Sequence, residues 1–122
     1  MEIPKIVGEI ACNHKGDFKV AKEMIVTAKQ FCKIGVVKFQ KRNPRESLPE
    51  KVYNAPHPNP ENSYGSSYGQ HREFLEFDKD QHKALKEFCD SLEIEYSCSV
   101  WDVTSAKKII SLNPPMIKIP LE

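Results

Sequence analysis

Two rhythms of apolar residues alternate along this chain. Lys5 to Cys12 (KIVGEIAC) is short, rich in strand-forming residues and followed by turn residues, which predicts a strand. Asp17 then stands as a helix cap. Ala21, Met24, Ile25, Ala28 and Cys32 fall at helical spacing, predicting a helix from Phe18 to about Cys32 with one apolar stripe. Gly35 punctuates, and Val36 to Gln40 (VVKFQ) predicts a second strand. Asp78 with Gln81 has the spacing of a capping box, and Leu85, Phe88, Cys89 and Leu92 carry the buried face of the helix it opens. Ile94 to Val100 predicts a third strand. Asp102 caps a third helix with Ala106, Ile109 and Ile110 inward, Asn113-Pro114-Pro115 stops it, and Met116 to Ile119 predicts a fourth strand. The order is β-α-β-α-β-α-β, an α/β pattern that implies parallel strands and right-handed crossovers. Lys41 to Phe77 interrupts it. This polar stretch holds Pro44, Pro49, Pro56, Pro58, Pro60, Gly65 and Gly69, and predicts a long loop that is functional or disordered and partly mobile. Within it Arg72 and Glu76 are spaced to pair on a short helical turn, and Tyr64 and Tyr68 to anchor the loop.

Side chains of a strand alternate between two faces. Val7, Glu9 and Ala11 share a face, as do Val36, Lys38 and Gln40, then Glu95, Ser97 and Ser99, then Met116 and Lys118. The opposite faces are apolar and suit covering helices. A parallel sheet covered on both sides would read as nearly continuous Val, Ile and Leu. Burying Glu9, Lys38 and Lys118 unpaired would cost several kcal/mol each. They are therefore expected to share a cavity and a ligand, at the C-terminal strand ends of a barrel or at the switch point of an open doubly wound sheet. Because polar residues recur on the same face of every strand, the barrel is the preferred reading. A complete (β/α)8 TIM barrel has eight strands in about 250 residues, so this pattern reads as its first half.

Composition narrows the class. The chain has 122 residues, enough for one domain, with 18 Lys and Arg against 17 Asp and Glu for a net charge of +1. No overall basic surface for nucleic acid or anionic membrane is expected. No apolar run reaches the ~20 residues of a membrane span, and the start lacks signal-peptide character, so a cytoplasmic location is expected. Cys12, Cys32, Cys89 and Cys98 form no Cys-x-x-Cys pair and read as buried structural thiols. His57, His71 and His82 lack a local metal spacing and read as surface residues. Asp102 reads as a cap before a catalyst, and Trp101 as core or pocket wall. Leu121-Glu122 read as vector-derived residues, outside a functional segment 1–120.

Gly8-Glu9-Ile10-Ala11-Cys12-Asn13-His14-Lys15-Gly16-Asp17 resembles the opening motif of the N-acetylneuraminate (sialic acid) synthase family. Val37-Lys38-Phe39-Gln40-Lys41 is similar to its second-strand motif, and the segment from Ser63 to Phe77 to its long-loop motif. Ser97 to Asp102 and Ile117-Lys118-Ile119-Pro120 resemble its third and fourth strand ends. The resemblance implies the N-terminal part of a barrel enzyme that condenses phosphoenolpyruvate with N-acetylmannosamine or a related acylamino sugar. Water adds, phosphate leaves by C–O cleavage, and a nonulosonic acid forms. It also implies a divalent metal, manganese or magnesium, whose ligands lie on later strands, and a homodimer in the full-length enzyme.

By motif, Glu9 takes the place of the family's catalytic carboxylate. Lys38 and Lys118 take those of the phosphoenolpyruvate-binding lysines. Gln40 takes that of a sugar-contacting amide, and Asn13 and His14 are placed to shape the sugar pocket. The residues themselves agree in part. Two ammoniums offset a carboxylate and a phosphate, and a carboxylate beside lysines relays protons when its environment is tuned. Glu122 does not match the family's acidic residue. The 122-residue chain alone is expected to be inactive and to associate with itself through exposed sheet edges. Two other readings stay open: a small non-catalytic module that binds anionic or phosphorylated metabolites, and another phosphoenolpyruvate-dependent aldol synthase.

Overall fold

A computed structural model describes residues 2–120; Leu121 and Glu122, and with them the reading of a vector-derived end, lie outside the described residues. Four strands, β1 (Val7–Ala11), β2 (Val36–Lys41), β3 (Glu95–Val100) and β4 (Met116–Lys118), form one sheet in the order β1-β2-β3-β4. Every pairing is parallel. The long helices are α1 (Phe18–Gln30), α5 (Lys79–Ser91) and α6 (Val103–Ile110). Strand order that follows chain order, with a helix after each of the first three strands, is the sequential winding of an opening barrel half.

The helix starts follow the cap chemistry. The Asp17 carboxylate accepts from the backbone N–H groups of Lys19 and Val20, and Asp102 accepts from Ser105. Asp78 and Gln81 make the full reciprocal capping box. The helices cover one face of the sheet. There Ile10, Ala21, Ile25, Val37, Phe39, Leu85, Cys89, Tyr96, Cys98 and Ile109 form one continuous core. Phe39 stacks on Tyr96 with ring centroids 5.8 Å apart.

The segment after β2 departs from the expected long loop. It folds into α2 (Pro44–Ser47), α3 (Glu50–Asn54), a 3-10 turn (Pro60–Asn62) and α4 (Tyr68–Phe74). The prolines start these turns: Pro44 and Pro60 sit at first-turn positions, where a missing N–H costs nothing. Gly69 lets α4 lie against Tyr53, since a Cβ there would come within 2.1 Å of the tyrosine ring. Gly16, at φ +75°, lets the β1–α1 loop meet the Phe74 carbonyl, which an added Cβ would approach to 2.5 Å. The segment is thus pinned at both ends of α4.

Several single-residue expectations are corrected. Cys89 and Cys98 are buried, but Cys32 is exposed and Cys12 half-buried. His71 and His82 are buried rather than on the surface. His82 packs under Phe39 and Phe77, and its Nδ1 shares a 2.7 Å hydrogen bond with the Tyr96 hydroxyl. Arg72 and Glu76 do not pair, because α4 ends before Glu76 and each side chain finds a partner far away in sequence.

Candidate active site at the open face of the sheet

In a parallel ladder, aligned residues share a face. Glu9 aligns with Lys38 and Lys38 with Ser97. One row further toward the strand ends, Gln40 aligns with Ser99 and Ser99 with Lys118. The polar residues of four strands therefore lie together on the face that the helices leave open. The Lys38 ammonium sits 2.5 Å from the Glu9 carboxylate and donates to the Ser99 hydroxyl at 2.6 Å. Lys38 is the centre of the arrangement: it joins β1 to β3 and reaches from the first row to the second. Its side chain is only 12% exposed, against 46% for Glu9, so the pair is a nearly buried cation under an accessible carboxylate. Ser97 donates to the Met116 carbonyl at 3.0 Å, tying β4 to the sheet at this level. Lys118 is exposed on β4, in register with the serine that Lys38 holds.

The rim above these rows is shaped by an irregularity in β1. The β1–β2 register shifts between Glu9 and Ala11, and Ala11 takes a left-handed backbone, φ 51°. Such bulges re-aim the residues beyond them. Here the Cys12 thiol reaches Gln40, donating to Oε1 at 3.5 Å, while the chain curls so that Asn13 bonds back to the Ile10 carbonyl through both its backbone and its amide. Asn13 is exposed and lines a cavity of about 400 Å³ with Cys12, Lys15, Ser63 and Tyr64. His14 goes the other way. It is 2% exposed and stacks on Phe77 at 4.3 Å, on the helix side of the sheet. Its Nδ1 accepts from the Gly16 backbone, and burial lowers its pKa to about 4. A neutral, sealed imidazole in that position buttresses the β1–α1 loop; contact with a sugar is not what its placement provides.

Residues that strand alternation could not reveal complete the rim. Glu76, after α4, accepts from the Lys41 ammonium at 3.1 Å and from the Arg42 backbone at 2.8 Å, clamping the end of β2. Burial pushes the Glu76 carboxyl up, opposed by Lys41. Asp102 both caps α6 and accepts from the Asn43 backbone at 2.6 Å. The Arg42 guanidinium lies over the Trp101 ring at 4.3 Å and donates to Gln40 Oε1 at 3.1 Å. Arg42, Leu48, Trp101, Asp102 and Ile119 line a second cavity of about 470 Å³ beside the strand ends. Trp101 is thus a cavity wall. Among the described residues, no three His, Cys, Asp or Glu side chains converge to hold a metal ion. No helix of the structure is long and apolar enough to cross a membrane.

Comparison with known proteins places this geometry. The chain is 36% identical over 114 residues to the N-acetylneuraminate-9-phosphate synthase of Mus musculus, covering 93% of this chain and 31% of that protein. It is 30% identical over 115 residues to the N,N'-diacetyllegionaminic acid synthase of Legionella pneumophila, covering 94% of this chain and 32% of that protein. The chain therefore spans about a third of the length of the curated relatives it matches. A crystal structure of the N-acetylneuraminic acid (sialic acid) synthetase of Leptospira borgpetersenii in complex with citrate superposes with a TM-score of 0.70 at 21% identity, over 98% of this chain and 40% of that one. That likeness shows the fold: this parallel α/β sheet is built like part of the TIM barrel of that structure. The NeuB family model matches residues 24–121, most of the chain, and the chain belongs to the NeuB family.

Proposed function

We propose that this chain supplies the phosphoenolpyruvate-binding side of a sialic-acid-type synthase, a transferase that condenses phosphoenolpyruvate with N-acetylmannosamine or a related acylamino sugar and releases phosphate. One observation carries the reading. Lys38 is held between the Glu9 carboxylate and the Ser99 hydroxyl on an open sheet face, with Lys118 in register beside it. A nearly buried ammonium whose counter-ion is accessible exchanges that counter-ion for a ligand anion at low cost, because the desolvation is already built into the fold. Two lysines on neighbouring rows balance the carboxylate and phosphate of phosphoenolpyruvate. Ser99, which accepts from Lys38, keeps its ammonium aimed across the strands.

In this reading Glu9, displaced from Lys38 by the incoming anion, stays beside the reacting carbons. It takes the proton from the water that adds and returns one as phosphate leaves. Gln40 and Asn13, at the rim, meet the hydroxyl and acylamino groups of the sugar. The divalent metal implied by the resemblance would take its ligands from later strands of the full-length enzyme. A cytoplasmic location and a homodimeric parent enzyme belong to the same proposal. So does self-association of this chain through β1 and β4, each paired on one side only among the described residues.

Titration of the chain with phosphoenolpyruvate tests the reading, with Lys38→Gln and Lys118→Gln beside the unaltered protein. Each substitution is expected to weaken binding by about tenfold or more. Equal affinity in all three proteins sinks the assignment. With both substrates and manganese present, the chain alone is expected to show no turnover; measurable product would show that the residues present already suffice.

A further inference from the structure

The segment that walls the cavity beside Asn13 is tied down at both ends by imidazoles. Glu61, Asn62, Ser63 and Tyr64 line that cavity of about 400 Å³ together with Cys12, Asn13 and Lys15. Just before this strap, the Asn59 backbone N–H donates to His57 Nδ1 at 2.9 Å. At its far end, the Tyr64 backbone N–H donates to His71 Nδ1 at 3.2 Å. The two rings meet edge to face with centroids 4.4 Å apart. Tyr64 stacks on His71 at 5.6 Å, and Tyr68 flanks His57 at 5.7 Å and His71 at 6.0 Å.

Both ties need an unprotonated Nδ1. A neutral imidazole offers one acceptor nitrogen, and an imidazolium offers none. Because Nδ1 accepts in each ring, Nε2 carries the hydrogen and the pair is held in its neutral form. An added proton turns the acceptor into a second donor facing a backbone N–H, so a bond becomes a repulsion. A second proton sets two cations in contact. The surroundings do not offset that charge. His71 is 8% exposed, and burial, then His57, then Arg72 lower its pKa. Glu73 of α4 accepts from the Tyr53 hydroxyl of α3 at 2.7 Å and lies 3.9 Å from Arg45 of α2. Glu61 of the strap and Lys15 of the β1–α1 loop are exposed. No carboxylate among the described residues bonds either imidazole; backbone N–H groups do.

We propose that His57 and His71 form a proton-operated latch on this cavity: neutral, they hold residues 59–64 in place as its wall, and protonated, they release that strap. His57 is half-buried and gives the proton its way in, while His71 is sealed. The range in which an imidazole changes charge, about pH 5 to pH 8, is the range in which the latch works. On the proposed function the wall that moves belongs to the cavity that Asn13 lines, but the latch does not depend on that reading.

Amide hydrogen exchange of the chain, followed by NMR and expressed as protection factors, tests the latch at about pH 7.5 and about pH 5.5. The Asn59 and Tyr64 amides are expected to lose protection by about tenfold or more at the lower pH. The control is the double variant His57→Asn, His71→Asn. An asparagine oxygen can accept near the position of Nδ1 and takes up no proton in this range. In that protein the same two amides are expected to change by less than about threefold.

Unchanged protection in the unaltered chain overturns the latch. An equal loss in both proteins assigns the responsible proton to another group, such as His82, and overturns it as well. Imidazole nitrogen spectra of the unaltered chain decide the matter even if the double variant does not fold. Both rings are expected as the Nε2–H tautomer at about pH 7.5, with the Asn59 and Tyr64 amide signals moving at the same midpoint as the rings. An Nδ1–H tautomer in both rings, or amide signals that ignore the ring titration, overturns the proposal.

Discussion

On the helix side of the sheet, Val37, Phe39, Tyr96 and Cys98 are sealed from solvent and the polar atoms among them are neutral or hydrogen-bonded. One residue away along the same strands, the opposite face carries Glu9, Lys38, Gln40, Ser99 and Lys118, with Lys38 in short polar contact with Glu9 and Ser99 and Lys118 in register beside them. The comparison separates two kinds of order. The covered face is held by apolar area, whose contribution scales with what is buried. The open face is held by strand register and a few charge contacts, which contribute little net stability where solvent reaches one partner. On the proposed function, the chemistry lies where removing a side chain is expected to change binding far more than folding.

That contrast can be broken by substitution. Leu85→Ala, at a site with 0% exposure, is expected to cost about 3 kcal/mol, measured by urea unfolding. A loss smaller than that of any open-face substitution would erase the distinction.

The next largest effect is on pH. Burial lowers the pKa of His82 to about 3 and that of His14 to about 4. In the unfolded chain both return to about 6.5, so below that value the unfolded state binds more protons. Their contribution is present above about pH 6.5 and is lost as pH falls toward the folded values. His82 alone is expected to remove about 2 kcal/mol between about pH 7.5 and about pH 5. His82→Phe should flatten this slope, and an unchanged slope in that variant would show that the sealed imidazole is not its source.

Smallest of all is the stability effect of Lys38→Met. It should change unfolding free energy by no more than about 1 kcal/mol, because the Glu9 partner keeps access to water. The same change should abolish phosphoenolpyruvate binding. A loss of several kcal/mol would mean that the open-face ion pair is structural after all.

Much of the open face was legible in the sequence because its signal is local. A period of two put Glu9, Lys38, Gln40 and Lys118 in phase, and the register confirms that they share one face. The caps at Asp17, Asp78 and Asp102 were legible for the same reason: each acts within three residues. The histidines were not. His82 is polar and lies in a charged-looking helix, yet the Tyr96 hydroxyl accepts it into the core from 14 residues away. His14 follows a bulge, and once an irregular residue intervenes, alternation no longer predicts direction. The short helices after β2 escaped because each has only a turn or two and little apolar period to read; Pro44 and Pro60 looked like breakers but act as starters.

The sequence by itself therefore determined the order of the four strands and the three long helices, the parallel α/β class, and which face of each strand is polar, since these follow from spacing along a few neighbouring residues. Only the tertiary structure decided that Lys38 touches both Glu9 and Ser99, that Glu76 clamps the end of β2, and that Arg42 and Arg72 meet around Cys12 and Gln40. Those contacts join residues 28 to 61 positions apart where they cross between elements, and no periodicity carries information over that distance. They arise when the sheet, the bulge and the short helices close on one another, and the chemistry of the site depends on that closure.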